Sequence, residues 1–100
     1  SKSAGEIAVN LTKGAFRFVT GAAAKPSYVI KTPSASIAVR GTIFDVFVLD
    51  DTSTWLLLHE GAVEVRGSRS STCRVLSQPG RLIFIPADGT VGRPTDWTAI

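Results

Sequence analysis

The segment Thr42 to Leu49, "TIFDVFVL", carries large apolar side chains on both sides of an extended backbone. Successive residues of a strand point to opposite faces, so Phe44, Val46 and Val48 line one face while Ile43, Phe47 and Leu49 line the other. Strands of that kind read as near-continuous apolar runs because both of their faces are covered. Asp45 breaks the run. It places a carboxylate among these side chains, three residues after Thr42 and just beyond an Arg40-Gly41-Thr42 turn.

The rest of the chain is compatible only with short extended elements. Gly or Pro recurs at Gly14, Gly21, Pro26, Pro33, Gly41, Gly61, Gly67, Pro79, Gly80, Pro86, Gly89, Gly92 and Pro94, with alternating or continuous apolar runs between. The longest interval free of both, Thr42 to Glu60, is interrupted by Asp50-Asp51-Thr52-Ser53, four residues that favour turns, so it reads as a hairpin. Val, Ile and Thr make up 27 of the 100 residues, a β-branched excess that disfavours helix. The runs predict strands over Ala15 to Thr20, Tyr28 to Thr32, Ser36 to Arg40, Thr42 to Leu49, Thr54 to His59, Ala62 to Arg66, Cys73 to Leu76 and Arg81 to Ile85. The expected fold is all-β, with two packed curved sheets of about 8 to 10 short strands arranged as a β-sandwich or a short β-helix-like roll, and little or no helix.

An internal echo accompanies this pattern. "LTKGAFRFV", Leu11 to Val19, matches "LHEGAVEVR", Leu58 to Arg66, at an offset of 47 residues. A duplication is one reading, and turn chemistry shared by two Gly-containing segments is the other.

Length and composition bound the function. At 100 residues the chain is expected to be one domain over 1–100, able to bury roughly 60 to 70 per cent of its unfolded surface in one core. Eleven Lys and Arg stand against eight Asp and Glu with no block of like charge, a net +3 too mild to point to nucleic acid. No run approaches the roughly 20 apolar residues of a membrane-spanning helix. "SKSAGEIAVN" lacks the basic-then-apolar pattern of a secretory signal, so the chain reads as cytoplasmic or, preferably, as a piece excised from a longer protein. The lone Cys73 has no internal disulfide partner.

No catalytic or metal-binding constellation stands out. His59-Glu60 begins like a zinc-protease motif, but Val63 occupies the second imidazole's place. Asp51-Thr52-Ser53 is similar to an aspartic-protease loop, yet Ser stands where that loop needs Gly, and a solvated hairpin tip explains it better. The Arg66 to Arg74 loop, with three arginines and three serines, could meet phosphate, but no aromatic residues interleave with it, and a soluble hairpin loop accounts for it. The chain is therefore expected to be no enzyme and to use no metal or other cofactor.

Taken in order, "LTKGAFRFV", "YVIKTPSASIAVRGTIFDVFV", "WLLLHEGAVEV" and "RVLSQPGRLIFIPADGTV" resemble the FecR domain of bacterial envelope regulators over Leu11 to about Val91. The most specific part is Arg40-Gly41-Thr42-Ile43-Phe44-Asp45-Val46 together with Glu60-Gly61-Ala62-Val63. The resemblance implies a motif set of Gly14, Pro33, Arg40, Gly41, Thr42, Phe44, Asp45, Glu60, Gly61 and Gly80. It also implies a periplasmic or cell-envelope module that relays a signal from an outer-membrane TonB-dependent receptor towards a sigma factor, often for iron uptake. The expected partner is then an envelope protein such as that receptor's signalling domain, engaged by an exposed strand edge, with no nucleic acid involved. The alternative is an exported scaffold or ligand-binding β domain without a sigma-factor link.

Asp45 needs partners wherever it lies, since burying a carboxylate unpaired costs several kcal/mol. Arg40, Arg17 and turn amides are the candidates, which makes Asp45 a structural lock. The competing expectation is that Arg40, Asp45 and Glu60 form a recognition patch for the partner.

Overall fold

A computed structural model describes residues 6–20, 27–39, 41–69 and 73–96. These residues form ten strands: β1 (Glu6–Asn10), β2 (Gly14–Val19), β3 (Ser27–Lys31), β4 (Ala35–Val39), β5 (Ile43–Val48), β6 (Thr54–Glu60), β7 (Val63–Gly67), β8 (Cys73–Leu76), β9 (Arg81–Ile85) and β10 (Thr95–Asp96). They build two five-stranded sheets, ordered β1-β3-β4-β7-β8 and β10-β9-β6-β5-β2. All pairs are antiparallel except β1 with β3. The architecture is the all-β sandwich the sequence predicts, with no helix among the described residues. Strands β1 and β10 lie outside the expected set.

Period-two alternation builds the core. From the second sheet, Phe44, Val46, Val48, Leu56, Leu58, Ile83 and Ile85 point inward to meet Ile30, Ile37, Val39, Val63, Val65 and Leu76 of the first. Each such side chain contributes about 1.5–3 kcal/mol on leaving water. Phe18, opposite Phe44 in the β2–β5 ladder, stacks on it with ring centroids 5.2 Å apart. Only one face of β5 joins this core. Ile43 and Phe47, on its other face, are half-buried and Leu49 is exposed, so the expectation that both sides of the run fill the interior holds for one side alone.

Two hydroxyl ties join the sheets at opposite ends. At one end the chain passes from β4 to β5 through Gly41, whose φ of 68° suits a residue without Cβ. The Thr42 hydroxyl donates to the Ala62 carbonyl at 2.7 Å, while Thr42 N–H donates to Thr20 Oγ1 at 2.8 Å. Gly61 completes this corner, because a Cβ there would lie 2.5 Å from the Gly41 carbonyl oxygen. At the other end, buried Ser34 and Thr54 share a hydrogen bond of 2.7 Å, and Thr32 meets Thr54 at 2.8 Å. Pro33 sits exposed in the turn between Thr32 and Ser34, whose geometry is closed by Thr32 N–H donating to the Ala35 carbonyl.

The 47-residue echo is not repeated in the pairing. β3 and β4 are neighbours, whereas β8 and β9, their counterparts at that offset, lie in different sheets. What the matching segments share is a glycine at positive φ at or just before the start of a strand: Gly14 at 122°, the first residue of β2, and Gly61 at 90°, two residues before β7.

Candidate functional site

The outer face of the second sheet collects the unusual residues. Arg17 on β2 lies directly across from Asp45 on β5, which lies across from Leu57 on β6. Opposite residues on one face of an antiparallel pair are within side-chain reach. Arg17 closes a bidentate pair on the carboxylate, with Nε donating to Oδ1 at 2.7 Å and Nη2 to Oδ2 at 2.9 Å. His59 Nε2 lies 2.8 Å from Oδ2. Facing a carboxylate, that nitrogen carries the proton and donates; its 3.3 Å approach to Arg17 Nη2, itself only a donor, is therefore a close contact.

His59 reaches Asp45 because β6 carries an extra residue. Phe44 pairs with Leu58 and Ile43 pairs with Glu60, leaving His59 unmatched in the ladder. Such a bulge bends its strand and re-aims the side chain it displaces.

These contacts set the charge of the cluster. The Arg17 hydrogen bonds hold the Asp45 carboxyl at about 2, below its ordinary 3.8, with burial opposing and His59 assisting. The Asp45 side chain is 12% exposed and that of Arg17 64%, so the guanidinium roofs the carboxylate on the solvent side. Asp45 is thus an anion with three donors, and it is not available as a proton donor near neutral pH.

An aromatic row runs beside the cluster. Ala15, Phe47, Trp55 and Phe84 occupy one register line across β2, β5, β6 and β9. Phe47, Trp55 and Phe84 are half-buried, and the Trp55 and Phe84 rings lie 4.6 Å apart. Leu57 and Leu82 continue the Arg17–Asp45 line towards Thr95 of β10, buried but outside the core cluster. The outer face of the first sheet differs: Lys31, Ser36, Arg66 and Cys73 share one line there, and Val29, Ala38, Glu64 and Val75 the next.

Of the three residues of the expected recognition patch, two lie among the described residues. Arg40 lies outside the described residues. Glu60 is exposed at the end of β6 and pairs through its backbone with Ile43, and among the described residues Asp45 binds Arg17 and His59. Gly14, Gly41, Gly61 and Gly80 all adopt positive φ, and Gly80 N–H donates to the Leu58 carbonyl at 2.8 Å. Phe44 and Thr42 are fully buried. Sequence reasoning passed over His59 as a strand end; its only signal, a histidine one residue before the Glu60-Gly61 corner, is visible once the bulge is known. Part of the Arg66 to Arg74 loop lies outside the described residues, and Arg74 donates from Nε to the Val91 carbonyl at 3.4 Å.

No curated protein matches the chain at a significant level. Two crystal structures of a candidate anti-sigma factor from Parabacteroides distasonis share the fold. One superposes with a TM-score of 0.70 at 20% identity, covering 89% of this chain and 42% of that one. The other gives 0.69 at 20% identity, with 89% and 41% covered. This chain therefore spans less than half the length of those structural relatives. The model of the FecR protein family matches residues 1–75, which takes in the Gly41-Thr42 corner, the Asp45 cluster and the Gly61 corner. The chain belongs to the FecR family.

Proposed function

We propose that this domain is an extracytoplasmic relay module that docks a protein partner through the outer face of the β10-β9-β6-β5-β2 sheet. It acts by binding and performs no chemistry of its own. Its partner is the signalling domain of an outer-membrane TonB-dependent receptor, and the signal passes from the periplasm towards a sigma factor, with iron uptake as the usual context.

The observation that carries this reading is the aromatic row Ala15-Phe47-Trp55-Phe84, exposed in part on a sheet whose opposite face already fills the core. Half-exposed aromatic side chains beside a fixed charge cluster suit a protein interface, where such residues are enriched. Membership of the FecR family supports the envelope setting, and the naming of the Parabacteroides distasonis relative as a candidate anti-sigma factor supports the sigma-factor direction.

The test is a photo-crosslinking amino acid at Phe47 in the full-length protein in its host, read beside a reporter of the sigma-dependent promoter. A crosslink to the receptor's signalling domain is expected, together with loss of induction in a Trp55→Asp variant that still folds. Normal induction in folded Phe47→Asp and Trp55→Asp variants would overturn the reading and favour an exported scaffold.

A further inference from the structure

Sheet edges differ in how far they are closed. At one end of the second sheet, β9 is covered by β10, by Gly92 N–H donating to the Phe84 carbonyl at 3.1 Å, and by an Arg81–Asp96 ion pair at 3.0 Å. At the other end, β2 has six residues and no described strand on its far side. Thr20 N–H donates to the Thr42 carbonyl, which fixes the alternation of the β2–β5 ladder. Phe18 and Phe16 then face β5 with their backbone groups, while the N–H and C=O of Ala15, Arg17 and Val19 point to the open side.

An open strand edge is commonly guarded by a charged side chain. Here the guard is drawn away: Arg17 reaches inward across the sheet to Asp45 on β5, and His59 completes its anchorage. Val19, at the far end of the edge, is 71% exposed. Beside the strand lie two shallow depressions, one of about 580 Å³ between Lys13, Ala15, Phe47 and the tip at Asp50 and Asp51, the other of about 230 Å³ between Ala15, Arg17, Asp45 and Phe47. A backbone ladder unpaired among the described residues, with side-chain pockets along it, supplies both ingredients of strand addition, affinity from the main chain and specificity from the pockets.

Charge narrows the occupant. The register that would pair all three outward residues of β2 with those of a second copy sets Arg17 against its own symmetry mate, and like charges directly opposite are destabilising. At the tip, Lys13 is paired with Asp50 at 3.1 Å, whereas Asp51 uses one carboxylate oxygen on Ser53 and presents the other to solvent. We propose that β2 accepts an extended segment of a protein partner as an additional antiparallel strand. Its alternate apolar side chains seat against Ala15 and Phe47, and a Lys or Arg at its C-terminal end faces Asp51. This deepens the docking function proposed above, and rests on it, by naming the edge used and the kind of segment it takes.

The test uses a synthetic ten-residue peptide of alternating Thr and Val ending in two Lys, titrated into the 100-residue chain and followed by amide hydrogen exchange in NMR. Ala15, Arg17 and Val19 amides are expected to gain protection on binding, while Phe16 and Phe18, already bonded to β5, stay as they were. Ala15→Pro, which removes one outward N–H, should weaken binding about tenfold, the value of one hydrogen bond. Replacing the two Lys by Glu should weaken it about threefold. Val19→Pro is the second variant should Ala15→Pro not fold, and the protection pattern of the unaltered chain depends on neither. No binding, protection elsewhere, or unchanged affinity in a folded proline variant overturns the proposal. Such a failure with the Phe47 crosslink intact removes strand addition alone; loss of the crosslink and the reporter response removes the docking function.

Discussion

Asp45 accepts three hydrogen bonds, two from Arg17 and one from His59, on a sheet face that is otherwise apolar along its neighbouring line. Hydrogen bonds to charged groups contribute about 1.5–3 kcal/mol, and removing Asp45 also leaves Arg17 without its counterion. Asp45→Ala should therefore destabilise by about 1–3 kcal/mol, a drop of several degrees in Tm at neutral pH. The pH dependence has a definite sign. The folded carboxyl titrates near 2, below its ordinary 3.8, so its contribution is complete above about pH 4 and is lost as pH falls through 2. Denaturation at pH 7 and at pH 2 should show a wide gap between wild type and Asp45→Ala in the first case and almost none in the second. Gly61 makes a different kind of demand. At φ 90° with the Gly41 oxygen 2.5 Å from any Cβ, Gly61→Ala should cost about 2 kcal/mol or more, measurable by urea unfolding. The Arg17–Asp45 pair was within reach of the sequence, since Arg17 was one of few cations able to face an interior carboxylate. His59 was not, because strict alternation assigns each residue a side and cannot register an extra one.

At the scale of elements, eight strands were legible because Gly and Pro corners bounded alternating runs, and their observed limits differ from the expected ones by at most one residue. β1 and β10 escaped for separate reasons. β1 pairs in parallel with β3, so no hairpin turn announces it, and β10 is two residues long. Sheet membership escaped as well: nothing local to β4 or β5 says that Gly41 carries the chain from one sheet to the other, since that depends on the Thr42–Ala62 and Thr42–Thr20 bonds. β6 shows how such long-range ties act on an element. Thr54 fixes its start to Ser34 and Thr32, and Gly61 fixes its end against Gly41, so the extra His59 is the slack between them. His59→Ala should cost about 1 kcal/mol or less, as expected for one half-exposed partner. Deleting His59 should cost far more, because the shortened strand must release one of its ends; thermal melts of the two variants distinguish the cases. Thr54→Val keeps the shape of the side chain but removes the hydroxyl partner shared by buried Ser34 and half-buried Thr32, and should cost about 1 kcal/mol by the same measurement.

The whole molecule is a sandwich with two unlike outsides, one aromatic and one of small and charged residues, around a core contributed by both sheets. Most of its pairings join residues distant in sequence, so refolding should fall in the millisecond-to-second range by stopped-flow fluorescence. The cross-sheet bonds sit at both ends, Thr42 to Ala62 at one and Ser34 to Thr54 at the other. A stack clamped at two ends has no easy shear. Relaxation-dispersion NMR should find the amides of β5, β6 and β7 quiet on the microsecond-to-millisecond timescale. On the docking proposed above, a partner would meet described strands tied together at both rims, an arrangement that suits a lever more than a hinge.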